Sequence, residues 1–196
     1  PGMMELLPEE QLEFNRIMAI IQKNYEKFGF TPIDTPVIER TETLLAKAGG
    51  ETEKQIYRFS KGDNDLSLRF DLTVPTARFV AENFGQLQFP FKRSQIGKVY
   101  RGERAQRGRF REFYQCDIDV IGRDKLSISY DAEYIAVIYN IFRELSFGDF
   151  TLRINNRNIT SGLIEGLGLT EKSAEIMALI DRAEKISTEE FSEQLT

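Results

Sequence analysis

Ile96-Gly97-Lys98-Val99-Tyr100-Arg101-Gly102-Glu103, then Arg104-Ala105-Gln106-Arg107-Gly108-Arg109, then Phe110-Arg111-Glu112-Phe113-Tyr114-Gln115-Cys116-Asp117-Ile118-Asp119-Val120-Ile121 is the stretch that decides the fold. Two β-prone runs flank a segment, Gly102 to Phe110, rich in Arg and Gly. That pattern predicts an antiparallel pair of strands joined by a mobile loop with positive charge at its tip. Alternation along the second run places Phe113, Gln115, Asp117 and Asp119 on one face and Tyr114, Cys116, Ile118 and Val120 on the other. One face is apolar and the other carries chemistry. The same rule puts Arg101 with Glu103, and Arg69 with Asp71 on a second hairpin. A sheet with one face in water accounts for the same residues, so periodicity alone leaves both readings open.

Outward from this pair, Pro8-Glu9-Glu10 opens a helix in which Phe14, Ile17, Ile21 and Phe28 recur at helical spacing, and Gly29 ends it. Phe30 to Glu39 is β-prone, but Pro32 and Pro36 confine it to an edge or to a path along another chain. Ile56, Tyr57 and Phe59, the turn Lys61-Gly62-Asp63-Asn64, and Leu66, Leu68 and Phe70 predict a hairpin whose other face shows Asp65, Ser67, Arg69 and Asp71. Thr73 to Asn83 is helical, with Pro75 tolerated in the first turn. A helix through Ala132 to Leu145, a strand over Phe150 to Asn155, a helix over Ile159 to Leu167 ended by Gly168, and an acidic helical stretch from Thr170 to Thr196 complete the expectation.

With 196 residues, 41% hydrophobic and 29% charged, the chain can bury one sizeable core. No run approaches the roughly 20 apolar residues of a membrane helix, and Pro1-Gly2-Met3-Met4-Glu5 lacks the basic and apolar regions of a signal peptide; the expectation is a soluble, cytoplasmic protein with no membrane partner. Cys116 is the one cysteine and histidine is absent, which excludes an internal disulfide, a Cys/His zinc site and a histidine-based triad. The net charge is -5, yet Phe89 to Arg111 carries eight basic residues against Glu103 alone, so the segment is +7 and the remainder -12. Such concentration suits phosphate or nucleic acid, although a basic surface loop explains it equally well.

Tyr100 to Gln115 resembles the second signature motif of class II histidyl-tRNA synthetases, with a strand arginine in Arg-x-Glu, a basic loop and a returning strand bearing an aromatic residue. Leu68-Arg69-Phe70-Asp71-Leu72-Thr73-Val74-Pro75 and Gln115-Cys116-Asp117-Ile118-Asp119-Val120-Ile121-Gly122 resemble the family's histidine-binding segments, and Pro36-Val37-Ile38-Glu39 its dimer-forming first motif. The resemblance implies an α+β fold, a mainly antiparallel sheet flanked by helices, as in the class II catalytic core but truncated. Residues 1–169 would be a partial catalytic domain and 170–196 the start of an inserted helical segment. The implied reaction activates histidine with ATP and transfers it to tRNA(His) in a cytoplasmic homodimer.

Carried over by residue, the resemblance gives Asp71, Thr73 and Gln115 to the ammonium and polar groups of histidine, and Asp119 to its imidazole. Arg101 is the catalytic residue, bridging the substrate carboxylate and the ATP α-phosphate. Glu103 accepts from the adenine amino group, Phe113 stacks on the base and Arg109 meets the terminal phosphates. Each assignment suits its chemistry, since carboxylates satisfy N–H donors and a planar guanidinium holds two oxyanions. Mg²⁺ is implied as the companion of ATP, with no protein ligand assigned. Six residues from Phe113 to Asp119 span roughly 20 Å, the reach of an extended histidyl-adenylate. Asp71 and Asp119 stand where many bacterial members carry glutamate, and Ala105 where proline often follows. The family's second catalytic arginine, third motif and anticodon-binding domain are not among these residues, so the chain alone is expected to aminoacylate negligibly. A non-catalytic alternative is the histidine-sensing regulatory subunit of ATP phosphoribosyltransferase, which shares the fold; a tRNA-binding module would leave the histidine-like pocket unexplained.

Overall fold

The computed structural model describes residues 2–46, 50–104, 106–183 and 186–195; Ala105 and Thr196 lie outside them. Two compact units divide the chain, residues 1–150 and 151–196. In the first, α1 (Pro8–Lys27), β1 (Thr31–Pro32), β2 (Ile38–Arg40), α2 (Thr41–Leu45), α3 (Gly50–Gln55), β3 (Arg58–Lys61), β4 (Asn64–Leu68) and α4 (Thr73–Asn83) precede the long strands β5 (Phe91–Tyr100) and β6 (Glu112–Ile121), and α5 (Ser129–Glu144) closes the unit. The second unit holds α6 (Arg157–Gly166), α7 (Ser173–Ile180) and α8 (Thr188–Leu195).

One sheet has the order β1-β5-β6 and the other β2-β4-β3. The β1–β5 pairing is parallel and the remaining pairings are antiparallel, as the alternation predicts. Pro32 sits in a two-residue edge strand, where a missing N–H costs least. At the start of α1, Pro8 occupies the first turn and Glu10 Oε2 accepts from Leu7 N (2.8 Å). Beyond its end, Gly29 takes φ +76°, a conformation open to glycine at no steric cost.

The apolar face of β6 packs against α1 and α5. Tyr25, Phe30, Val120, Val137 and Ile141 form the core, with Ile96, Cys116 and Ile118 against it. Burying each such aliphatic side chain contributes roughly 1.5–3 kcal/mol. At the rim, Glu144 of α5 accepts from Lys23 (2.9 Å), Asn24 (3.0 Å) and Lys27 (3.1 Å) of α1. These donors, Lys23 foremost, lower its carboxyl to about 2. A folded value below the unfolded one (about 4.3) stabilises the fold fully above the unfolded value, and the contribution is lost as pH falls through about 2. The native chain should therefore lose more thermal stability between about pH 5 and pH 2 than Glu144→Gln does; parallel losses in the two melting curves would argue against this clamp.

Three expectations need correction. Phe150 to Asn155 forms no strand; among the described residues nothing pairs with it, and a β-prone segment needs a neighbour for its backbone groups. The polar face of the β3–β4 hairpin is covered from Ser67 onward, because Ser67 meets Thr41 Oγ1 (2.8 Å) and Arg69 is roofed by β5, while Asp65 stays exposed. The basic stretch is no continuous surface strip, since Arg93 is fully buried. Among the described residues no helix is long and apolar enough to cross a membrane. In the second unit, Asn156 Oδ1 accepts from Asn158 N (2.9 Å) at the start of α6, and Ile164 and Leu179 are buried.

Candidate functional site

The β5–β6 register sets the platform, pairing Arg93 with Asp119, Gln95 with Asp117, Gly97 with Gln115 and Val99 with Phe113. Directly opposed residues share a face, so the four polar-face side chains foreseen on β6 stand over these four of β5. Gly97 is required by a close approach, since a Cβ there would lie 2.4 Å from Arg69 Nη2. Arg69 is 3% exposed and ties three segments together. Its Nε donates to Lys98 O (2.7 Å), its Nη1 donates to Thr35 O (2.6 Å), and its own carbonyl accepts from Tyr100 N (3.0 Å).

This knot carries Phe70, Asp71 and the start of α4 to the platform. Asp71 Oδ1 accepts from Val74 N (2.9 Å), which spends one carboxylate oxygen on the helix start and leaves the other free of that task. Thr73, the first residue of α4, is exposed. Arg101 Nε donates to Phe70 O (3.2 Å), and its guanidinium lies over the rings of Phe70 (4.5 Å) and Phe113 (5.1 Å). Two aromatic rings attract the cation, while the fork keeps further N–H donors.

A cleft of about 360 Å³ opens beside Arg101, lined by Gln55, Arg101, Glu103, Gly108, Arg109, Phe110 and Phe113. It gathers all four residues expected at ATP. Contrary to the alternation argument, Arg101 and Glu103 lie beyond β5, which ends at Tyr100. The backbone instead turns so that Gly102 N donates to Gln55 O (2.7 Å), where a Cβ at Gly102 would sit 3.0 Å from that oxygen. Gly108 at φ +76° closes the loop, with Gln106 and Arg109 bridged, and Arg109 approaches Glu103 at 3.5 Å. Gln55 had no signal in the sequence, being 46 residues from Arg101 and joined to the cleft through its backbone.

A second cleft, about 390 Å³, runs along β6 between α1 and α5 and is lined by Asp117, Asp119, Tyr25 and Tyr134 among others. Tyr25 Oη donates to Cys116 O (3.0 Å), and Val120 N donates to Tyr134 Oη (3.1 Å), which fixes the strand from both helices. Burial pushes the Asp117 carboxyl up, Asp119 and Asp71 adding to this and Arg93 and Arg101 opposing it. Gln115 Oε1 is buried without a hydrogen-bond partner among the described residues, an acceptor suited to an ammonium. The structure thus gathers Arg101, Glu103, Arg109 and Phe113 at one cleft and places Asp119 on the other. Asp71, Thr73 and Gln115 line neither. Among the described residues, no group of three or more acidic, Cys or His side chains could hold a metal ion.

A family model described as histidyl-tRNA synthetase matches residues 2–195. The histidine–tRNA ligase of Clostridium tetani is 58% identical over 195 residues, covering 100% of this chain and 44% of that protein. The crystal structure of histidyl-tRNA synthetase from Nostoc sp. PCC 7120 aligns with TM-score 0.85 and 39% identity over 98% of this chain and 45% of its own. An ATP phosphoribosyltransferase regulatory subunit/histidyl-tRNA synthetase from Bacillus halodurans aligns with TM-score 0.65 and 27% identity over 76% of this chain and 38% of its own. The chain spans less than half the length of these relatives. With the platform, the Arg101 cleft and the match from end to end taken together, the chain belongs to the histidyl-tRNA synthetase family.

Proposed function

We propose that this chain supplies the histidine and ATP subsites of a histidine–tRNA ligase. The observation that carries the reading is the convergence of Arg101, Glu103, Arg109 and Phe113 on one cleft, with the Arg101 guanidinium in cation–π contact with Phe70 and Phe113. Glu103 accepts from the adenine amino group, Phe113 stacks on the base, and Arg109 takes terminal phosphate charge. Arg101 is the catalytic residue, drawing the histidine carboxylate and the α-phosphate together and stabilising charge as it spreads during attack. Asp71, Thr73 and Gln115 hold the amino-acid end, supported by the orphaned Gln115 Oε1. Asp119 receives the imidazole N–H.

Transfer to tRNA(His) completes the reaction, the exposed Arg104 and Arg107 offering charge to phosphates. Mg²⁺ would accompany ATP, but the described side chains form no metal cage, so no step is assigned to it. Exposed Leu7 and Leu12, at the start of α1, and Val37 and Ile38, at the start of β2, support a homodimer, and the reading is cytoplasmic. Residues 1–169 are assigned to the catalytic domain and 170–196 to the start of an inserted segment.

The test is ATP–pyrophosphate exchange, measured on this chain and on a fusion continuing it with the remainder of the C. tetani ligase. Histidine should support exchange in the fusion where other amino acids do not, and Asp119→Ala should remove it. Histidine binding without exchange in the fusion would instead favour a regulatory, histidine-sensing protein.

A further inference from the structure

Arg93 differs from every other basic residue of its stretch. It is 0% exposed and lies opposite Asp119 in the register, its Nη2 paired with Asp119 Oδ2 and 4.0 Å from Asp117 Oδ2. Its Nε, Nη1 and Nη2 are all buried and make no hydrogen bond among the described residues, so its tie to Asp119 is the ion pair alone. As a structural element this is poor, because desolvating a guanidinium is costly and an apolar side chain of similar volume is often neutral or better. Its effect falls on the carboxylates. The Asp119 side chain is 40% exposed and lines the cleft, while the cation on the neighbouring strand pairs with its Oδ2. Asp117, two residues away on the same face, has Asp119 and Asp71 as like charges, opposed by Arg93 and Arg101.

We propose that Arg93 is the positioning residue of the histidine site, pairing with Asp119 Oδ2 from the neighbouring strand so that Oδ1 is presented as an oriented acceptor for the imidazole N–H. The inference rests on the histidine site proposed above. Without the guanidinium, the like charges of Asp117 and Asp119 would lose their nearest counter-charge, the Asp119 carboxylate would lose its fixed orientation, and selection for a ring N–H would weaken.

Calorimetric titration of the 196-residue chain with histidine and with β-(2-thienyl)alanine, a ring of similar shape lacking the N–H, tests this. Arg93→Met should weaken histidine binding about tenfold or more and leave thienylalanine nearly unchanged, while the melting temperature holds or rises. In an Asp119→Asn background Arg93→Met should add no further loss, since its effect passes through that carboxylate. Should Arg93→Met not fold, Arg93→Gln carries the same decision. A native preference for histidine in the folded Arg93 variant overturns the proposal, as does an equal loss for both ligands together with a lowered melting temperature. If the unaltered chain shows no preference for histidine, the histidine site itself falls and this inference with it.

Discussion

Arg101→Ala is expected to lower histidine-dependent ATP–pyrophosphate exchange in the fused ligase by about 10²–10³-fold, the loss typical of removing one preorganised donor from developing charge. The guanidinium lies within 4.5 Å of the Phe70 ring and 5.1 Å of the Phe113 ring, and its Nε donates to Phe70 O, contacts that fix its place in the cleft. Arg101→Lys should recover little, since an ammonium offers a point charge where a fork is needed to span two oxyanions. Thermal stability should change little, as Arg101 is only partly buried and its side-chain bond is to a single carbonyl, that of Phe70. Exchange within a few-fold of the unaltered fusion would remove Arg101 from the chemistry.

Arg69→Met acts on the fold instead. It withdraws the donors to Thr35 O and Lys98 O inside a close-packed layer and leaves the space over Gly97 unfilled. Orphaned buried acceptors and the resulting cavity should cost about 3–5 kcal/mol. For a chain of this size that lowers the melting temperature on the order of 10 °C. Differential scanning calorimetry reads it directly; a melting temperature within a degree or two of the native value would mean that the knot joining β5 to the segment before α4 contributes nothing.

How much of this was legible beforehand depended on how local the cause was. Pro8, Glu10 and Gly29 mark the ends of α1 through their immediate neighbours, and Thr73 to Asn83 is helical as its spacing requires. The alternation on β6 correctly separated the Tyr114 and Cys116 face, now packed on α1 and α5, from the Phe113 and Asp119 face. Spacing could not show that Ser67 and Arg69 would be covered, because the cover comes from Thr41, 26 residues before Ser67, and from Lys98 of β5, 29 residues after Arg69. Nor could charge alone separate Arg93 from Arg101: the register puts Arg93 opposite Asp119, while the turn beyond β5 brings Arg101 to the rings of Phe70 and Phe113. The Phe150 to Asn155 segment failed for the converse reason, having β-prone residues and no described partner.

The grip of Glu144 on Lys23 also sets a timetable. Its two ends are 121 residues apart, and a ribosome adding roughly 5–20 residues per second needs on the order of 6–24 s to deliver the second after the first. Throughout that interval α1 exists without the helix that shares its core, its Tyr25 side uncovered. The hairpin of β5 and β6, closed by a loop of eleven residues between Tyr100 and Glu112, can form well before then. Synthesis therefore favours assembly from the middle of the unit outward, with α1 among the last pieces locked, and a holding chaperone would find its best target at the uncovered Tyr25 side of α1.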